Sequence, residues 1–202
     1  MTRSPRLRWL AIGGLVVWIA GGLAVGGLLL IKHLVALPTP AITDHTLRDA
    51  VAASTPSGRW RAVHFMYRSC PCSRRTIDHL LHEPPLPDLH QLVVMVDDEG
   101  GPGPEDDRLR AAGFEVVIVT PDVLRARYHV EAAPMLVFVS PDGELAYVGG
   151  YNRHKQSPAY EDREILSNLR AHHESRPLPV FGCATSSRLA RIVDPLNLDR
   201  LR

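Results

Sequence analysis

Trp9 to Ile31 is a run of 23 residues without a charged side chain, and it constrains the start of this chain more than any other feature. At 1.5 Å per residue a helix of that length spans roughly 34 Å, enough for the hydrocarbon core of a bilayer. A cleaved secretory signal would have a shorter apolar centre and would end in a small-x-small site. Ala36-Leu37-Pro38 is a poor one, so a retained transmembrane anchor is expected. Arg3, Arg6 and Arg8 precede the run and Lys32 alone follows it, which places the N-terminus in the cytoplasm by the positive-inside rule. The expected organisation is a cytoplasmic N-terminus (1–8), an anchor (9–31), a tether (32–42) stiffened by Pro38 and Pro40, a folded domain outside the cytoplasmic membrane (43–175) and a C-terminal extension (176–202) carrying Cys183.

Two hundred and two residues, 45% of them hydrophobic, allow one well-cored domain plus appendages. The net charge is +1; setting aside the four bases that bracket the apolar run leaves 19 basic against 22 acidic side chains. That balance offers no electrostatic footprint for nucleic acid. Three cysteines are too few for a disulfide-stapled scaffold, and two of them, Cys70 and Cys72, sit one residue apart, which points to chemistry.

The local pattern alternates strands and helices. Thr43 or Asp44 caps a helix to about Ser54, ended by Pro56-Ser57-Gly58. Trp60–Tyr67 reads as a strand with Val63, Phe65 and Tyr67 on one face, and Cys70–His82 as a helix stopped by Pro84-Pro85. Leu92–Val96 and Phe114–Val119 are apolar runs of the buried parallel kind, separated by a helix over Glu105–Ala112. Thr120-Pro121 starts a helix that runs to about Tyr128. Met135–Val139 and Leu145–Val148 flank Pro141-Asp142-Gly143 as a hairpin, and Pro158–Glu174 is an amphipathic helix. The order argues for an α/β protein with a mixed sheet flanked by helices.

A cysteine at the first turn of a helix meets oriented N–H groups and the positive end of the dipole, which favour thiolate over thiol. Cys70 holds that position, with Arg68, Arg74 and Arg75 expected to add positive potential, and Cys72 stands ready to attack a mixed disulfide formed at Cys70. A disulfide across one residue is strained and so easily reduced; pairing with Cys183 avoids some of that strain.

Val63-His-Phe-Met-Tyr-Arg-Ser-Cys-Pro-Cys72 resembles the strand and active-site turn of thioredoxin-fold proteins with one residue fewer between the cysteines. Val130-Glu-Ala-Ala-Pro-Met-Leu-Val-Phe-Val-Ser-Pro-Asp-Gly143, followed by Gly149-Gly150, resembles their second half. The strand Phe114–Val119 with Pro121–Tyr128 is similar to the membrane-tethered TlpA and ResA subgroup. The resemblance covers roughly Trp60 to Tyr151. It implies a thioredoxin-like fold, a cis proline at Pro134 packed beside the cysteines, and pairing of an extended substrate with the backbone at Ala133. It also places His64 where many thioredoxins carry a buried carboxylate that shuttles the resolving cysteine's proton; a structural strand histidine is the competing reading. Phe181-Gly-Cys-Ala-Thr-Ser186 is similar to a segment that a group of bacterial redoxins pairs with Cys-Pro-Cys. Ser69 replaces the family's usual aromatic residue before the first cysteine.

The leading expectation is therefore an enzyme, a thiol-disulfide oxidoreductase acting on cysteines of exported proteins, with Cys70 attacking, Cys72 or Cys183 resolving, and Ala133-Pro134 presenting the substrate. The family resemblance implies a membrane thiol-electron donor as partner, and no cofactor is expected. The alternative is Cu(I) handling by Cys70, Cys72 and Cys183 with His129, since soft sulfur suits Cu(I). A peroxidase is disfavoured because Tyr67 stands three residues before Cys70, where peroxiredoxins use threonine or serine. His79 and His82, one helical turn apart, read as solvent-facing, as do the carboxylates of Asp97-Asp98-Glu99 and Glu105-Asp106-Asp107. His172 and His173 are adjacent on a helix and point apart.

Overall fold

The computed structural model describes residues 5–34, 36–53, 58–83, 86, 88–155 and 157–194. Arg3 and the breakers Pro56-Ser57 and Pro84-Pro85 lie outside the described residues. The chain divides into two compact units, Met1–Val35 and Ala36–Arg202.

In the first unit, α1 (Pro5–Leu34) is a single helix. Its stretch Trp9–Gly27, with a mean hydropathy of 2.0, is long and apolar enough to cross a membrane.

In the second unit, α2 (His45–Ala52) begins at Asp44, whose carboxylate accepts the Leu47 N–H at 2.9 Å. Next come β1 (Trp60–Tyr67), α3 (Pro71–His82), β2 (Leu89–Val96), α4 (Pro104–Ala111), β3 (Glu115–Val119) and α5 (Pro121–Tyr128). The chain continues through β4 (Ala132–Ala133), β5 (Met135–Val139), β6 (Leu145–Gly149), α6 (Asp162–Arg170), β7 (Cys183–Ala184) and α7 (Ser187–Val193). The main sheet has the order β3-β2-β1-β5-β6, with β1, β2 and β3 parallel, β5 antiparallel to β1, and β6 antiparallel to β5.

Strand alternation gives the sheet two apolar faces. Val63, Phe65, Val94, Met135 and Val137 pack with Leu47 and Val51 of α2 and Leu124 and Tyr128 of α5. On the other face, Met66, Val93, Met95, Leu136 and Phe138 pack with Ile77 of α3, Leu109 of α4, and Ile165 and Leu166 of α6. Helices thus cover both faces, as a parallel-centred sheet requires. This is the thioredoxin-like mixed sheet that the sequence predicts.

Two helices depart from the sequence pattern. The predicted Pro158–Glu174 helix shrinks to α6, because the Asn152 amide donates to the carbonyls of Ser157 (3.1 Å) and Ala159 (2.8 Å) and holds that segment as a loop. At the other end His172 turns left-handed (φ 58°), so His172 and His173 follow the helix instead of lying on it. The second departure is α7, a short helix beyond the sequence pattern; it starts where Ser186 Oγ accepts the Leu189 N–H at 3.1 Å.

The described part of the C-terminal extension, 176–194, packs on the domain. Val180 bridges Leu37, β7 pairs antiparallel with β4, and Val180 and Leu189 are buried in the same core as α2 and α5.

Candidate thiol site

β1 delivers the chain to a tight turn, in which the Cys70 N–H donates to the Tyr67 carbonyl at 2.9 Å, and Cys70 becomes the residue that caps α3. Pro71 takes the first helical position, where its missing N–H costs nothing. Ser73 Oγ accepts the Tyr67 N–H at 3.0 Å and ties helix to strand.

Cys70 is fully buried. Its sulfur lies 3.7 Å from the Ala133 carbonyl oxygen, next to the Ala133-Pro134 peptide, which is cis. It is bonded to Cys183, with the two Cα atoms 5.9 Å apart, and Cys72 is left as a half-buried free thiol. Of the three pairings that three cysteines allow, the structure therefore contains Cys70–Cys183 and neither pairing of Cys72.

The tail reaches Cys70 because its backbone fits against β4. Ala133 pairs with Cys183 and Ala132 with Ala184, and the Thr185 N–H donates to the Glu131 carbonyl at 2.8 Å. Gly182 is needed here: a Cβ at that position would collide with the Ala133 carbonyl, a backbone group that cannot swing aside. Gly150 serves the same purpose upstream, where a Cβ would strike the Pro179 carbonyl. Its N–H donates to the Leu178 carbonyl at 2.9 Å, and the Leu178 N–H donates to the Tyr147 hydroxyl at 3.1 Å. Beyond Cys183, Glu131 accepts from Ser186 Oγ and from Arg188. Those hydrogen bonds, that of Arg188 foremost, hold the Glu131 carboxyl below its usual range.

The expected positive field around Cys70 is reduced. Arg68 is spent in a carboxylate cage, bonded to Asp97 (2.9 Å), Asp106 (2.9 Å) and Glu105 (3.2 Å). Burial alone would raise the Asp97 carboxyl, but the Gly101 N–H and Arg68 outweigh it and hold it low. These carboxylates are thus partly ligands of one arginine and not simply solvated; Asp106 is wholly buried. The cage fixes the turn that precedes Cys70.

His64 sits in β1 on the face covered by α3 and α6, 2% exposed, with Nδ1 2.7 Å from the Tyr151 hydroxyl. Burial lowers its pKa to about 4, so the imidazole is neutral near pH 7 and does not titrate in the range the sequence suggested. Burial also raises the Tyr151 hydroxyl well above its ordinary value. His79 corrects another expectation. It is mostly buried, 3.0 Å from Asp162 and stacked on Tyr160 with ring centroids 3.9 Å apart, whereas His82 is exposed as expected.

A cleft of about 430 Å³ opens beside the free thiol, lined by Cys72, Arg75, His79, Pro134, Tyr160 and Phe181 among others. His129, the fourth ligand of the copper alternative, instead caps α5 and lies 3.0 Å from Asp44. Among the described residues no three His, Cys, Asp or Glu side chains gather as a metal-binding group. With two of the sulfurs bonded to each other and His129 turned to Asp44, this donor set does not fit Cu(I).

Sequence reasoning missed Glu131, Tyr160 and Phe181. Gly182 carried a usable signal, a glycine next to a cysteine outside any turn pattern, since such a glycine often marks a close backbone approach.

The fold and the placement of Cys70 against a cis proline define a thioredoxin-like domain. An uncharacterized conserved protein from Geobacillus kaustophilus matches with a TM-score of 0.50 at 16% identity, over 64% of this chain and 78% of the other. A hypothetical protein from Sinorhizobium meliloti matches with a TM-score of 0.49 at 13% identity, over 76% and 91%. A secreted Mycobacterium tuberculosis disulfide oxidoreductase matches with a TM-score of 0.38 at 16% identity, over 57% and 83%. No protein-family model matches the chain, and no curated protein does.

Proposed function

We propose that this chain is a membrane-anchored thiol-disulfide oxidoreductase that exchanges disulfides with cysteines of exported proteins. The observation that carries the reading is the Cys70–Cys183 disulfide, seated at the start of α3 and against the Ala133-Pro134 peptide. Reduced, Cys70 would lie at the positive end of the α3 dipole, where thiolate is favoured. Exchange then needs only a neighbouring sulfur to accept or return the bond, and both Cys72 and Cys183 are nearby in the chain or in space.

The apolar run Trp9–Ile31, with Arg3, Arg6 and Arg8 ahead of it, supports insertion in the cytoplasmic membrane with the thiol domain outside. That side is oxidising, which suits a Cys70–Cys183 disulfide. A membrane thiol-electron donor would complete the cycle.

Full-length protein in detergent, equilibrated in glutathione buffers of graded ratio and trapped with an alkylating reagent, tests the reading. A two-electron transition that assigns Cys70 and Cys183 to one couple is expected, lost in Cys70→Ser. A disulfide that stays closed at every ratio, or that opens only on unfolding, would make the pair a staple and end the proposal.

A further inference from the structure

The edge at which a client strand would meet the cis-proline peptide is already occupied. β7 pairs with β4 and places Cys183 opposite Ala133. The tail is fastened on both sides of Cys183: Val180 to Leu37, Leu178 to Gly150 and Tyr147, and Thr185 to Glu131. None of these bonds involves the Cys70–Cys183 disulfide. Cys70 is fully buried beneath the edge.

Cys72 is placed differently. It is part-exposed and lines the cleft between α3 and the loop residues Asn152, His154, Ser157 and Pro158, together with Arg75 and His82; Arg75, His82 and His154 are exposed. Asp78, the one acidic side chain of the lining, lies 3.7 Å from Arg108, and His79 is engaged by Asp162. With Asp78 facing Arg108, the charged group that the rim offers beside the free thiol is the exposed Arg75 guanidinium.

Resting on the oxidoreductase reading above, we propose that clients reach this centre through Cys72 in that cleft and not along β4, and that they carry acidic residues beside the reacting cysteine. In the reducing direction, the Cys72 thiolate attacks a client disulfide R–S–S–R′, forming Cys72–S–S–R and releasing R′–S⁻, which takes up a proton. The Cys70 thiolate then attacks the Cys72 sulfur and expels R–S⁻. Cys183 thiolate finally attacks Cys70, restoring Cys70–Cys183 and the Cys72 thiolate. Two thiols of the chain are oxidised, one client disulfide is reduced, and their two protons end on the client; the oxidising direction is the same sequence reversed.

The test uses reduced full-length protein in detergent and two short synthetic peptides, each with one cysteine activated as a mixed disulfide with thionitrobenzoate. One carries flanking glutamates and the other flanking lysines. Release of thionitrobenzoate reports attack whatever the protein's potential, and peptide mapping of the quenched reaction locates the first adduct. The adduct is expected on Cys72 in the native chain and in Cys70→Ser, forming several-fold faster with the glutamate peptide, and the preference is expected to fall in Arg75→Gln. A first adduct on Cys70 or Cys183, an undiminished rate in Cys72→Ser, or equal rates for the two peptides would overturn the proposal while leaving the oxidoreductase reading standing. Failure of the native chain to exchange with either peptide and with glutathione would remove both.

Discussion

The carbonyl of Ala133 lies against Gly182 so closely that no Cβ fits between them, and this contact lets Cys183 reach the buried sulfur of Cys70. The tail is thereby part of the thiol site.

Gly182→Ala is expected to force the two backbones apart. Overpacking of a tight site costs about 1–3 kcal/mol, and β7 would lift from β4. Denaturant unfolding should show the loss, and Cys183 should alkylate faster in the reduced variant than in the native chain. An unchanged midpoint with unchanged alkylation would show that the tail has room to spare.

Cys183→Ser removes a cross-link between residues 113 apart in sequence. Closing so long a loop restricts the unfolded chain, and such links contribute roughly 2–4 kcal/mol. The variant, compared with native protein under oxidising conditions, should unfold at lower denaturant by that amount. The difference should vanish when both are measured with reductant.

Arg68→Ala strands the buried Asp106 and the depressed Asp97. Removing one partner of a buried ion pair costs about 3–5 kcal/mol, and the turn before Cys70 should loosen. Asp97 has a lowered folded pKa, so its contribution is complete above the unfolded value of about 3.9 and fades as pH falls through the folded one. The native chain should therefore lose stability below about pH 4, and the variant should show a flatter acid limb in that window.

His64 is held near pKa 4 by burial, against about 6.5 in an unfolded chain. Between those values the unfolded state binds the extra proton, so stability rises with pH across the window and is lost as pH falls toward 4. The span corresponds to about 3 kcal/mol at most. His64→Leu should abolish that slope in unfolding experiments from pH 4 to 7, at the separate cost of leaving the Tyr151 hydroxyl without its partner. A native chain whose stability is flat over the same range would show that His64 is not buried neutral.

What could be read from residues in order was the scaffold. The strand Trp60–Tyr67, the helix Pro121–Tyr128 behind its Thr120 cap and the strand Met135–Val139 stand where their periodicity and caps put them, because those signals act over a few residues. The apolar span and the cysteines at the start of α3 were legible for the same reason. The partner of Cys70, the burial of His64, the arginine cage and the course of residues 176–186 were decided by tertiary structure. Each depends on which surfaces meet across many tens of residues, where the closure entropy is recovered only if the whole interface fits, and no local pattern encodes that fit.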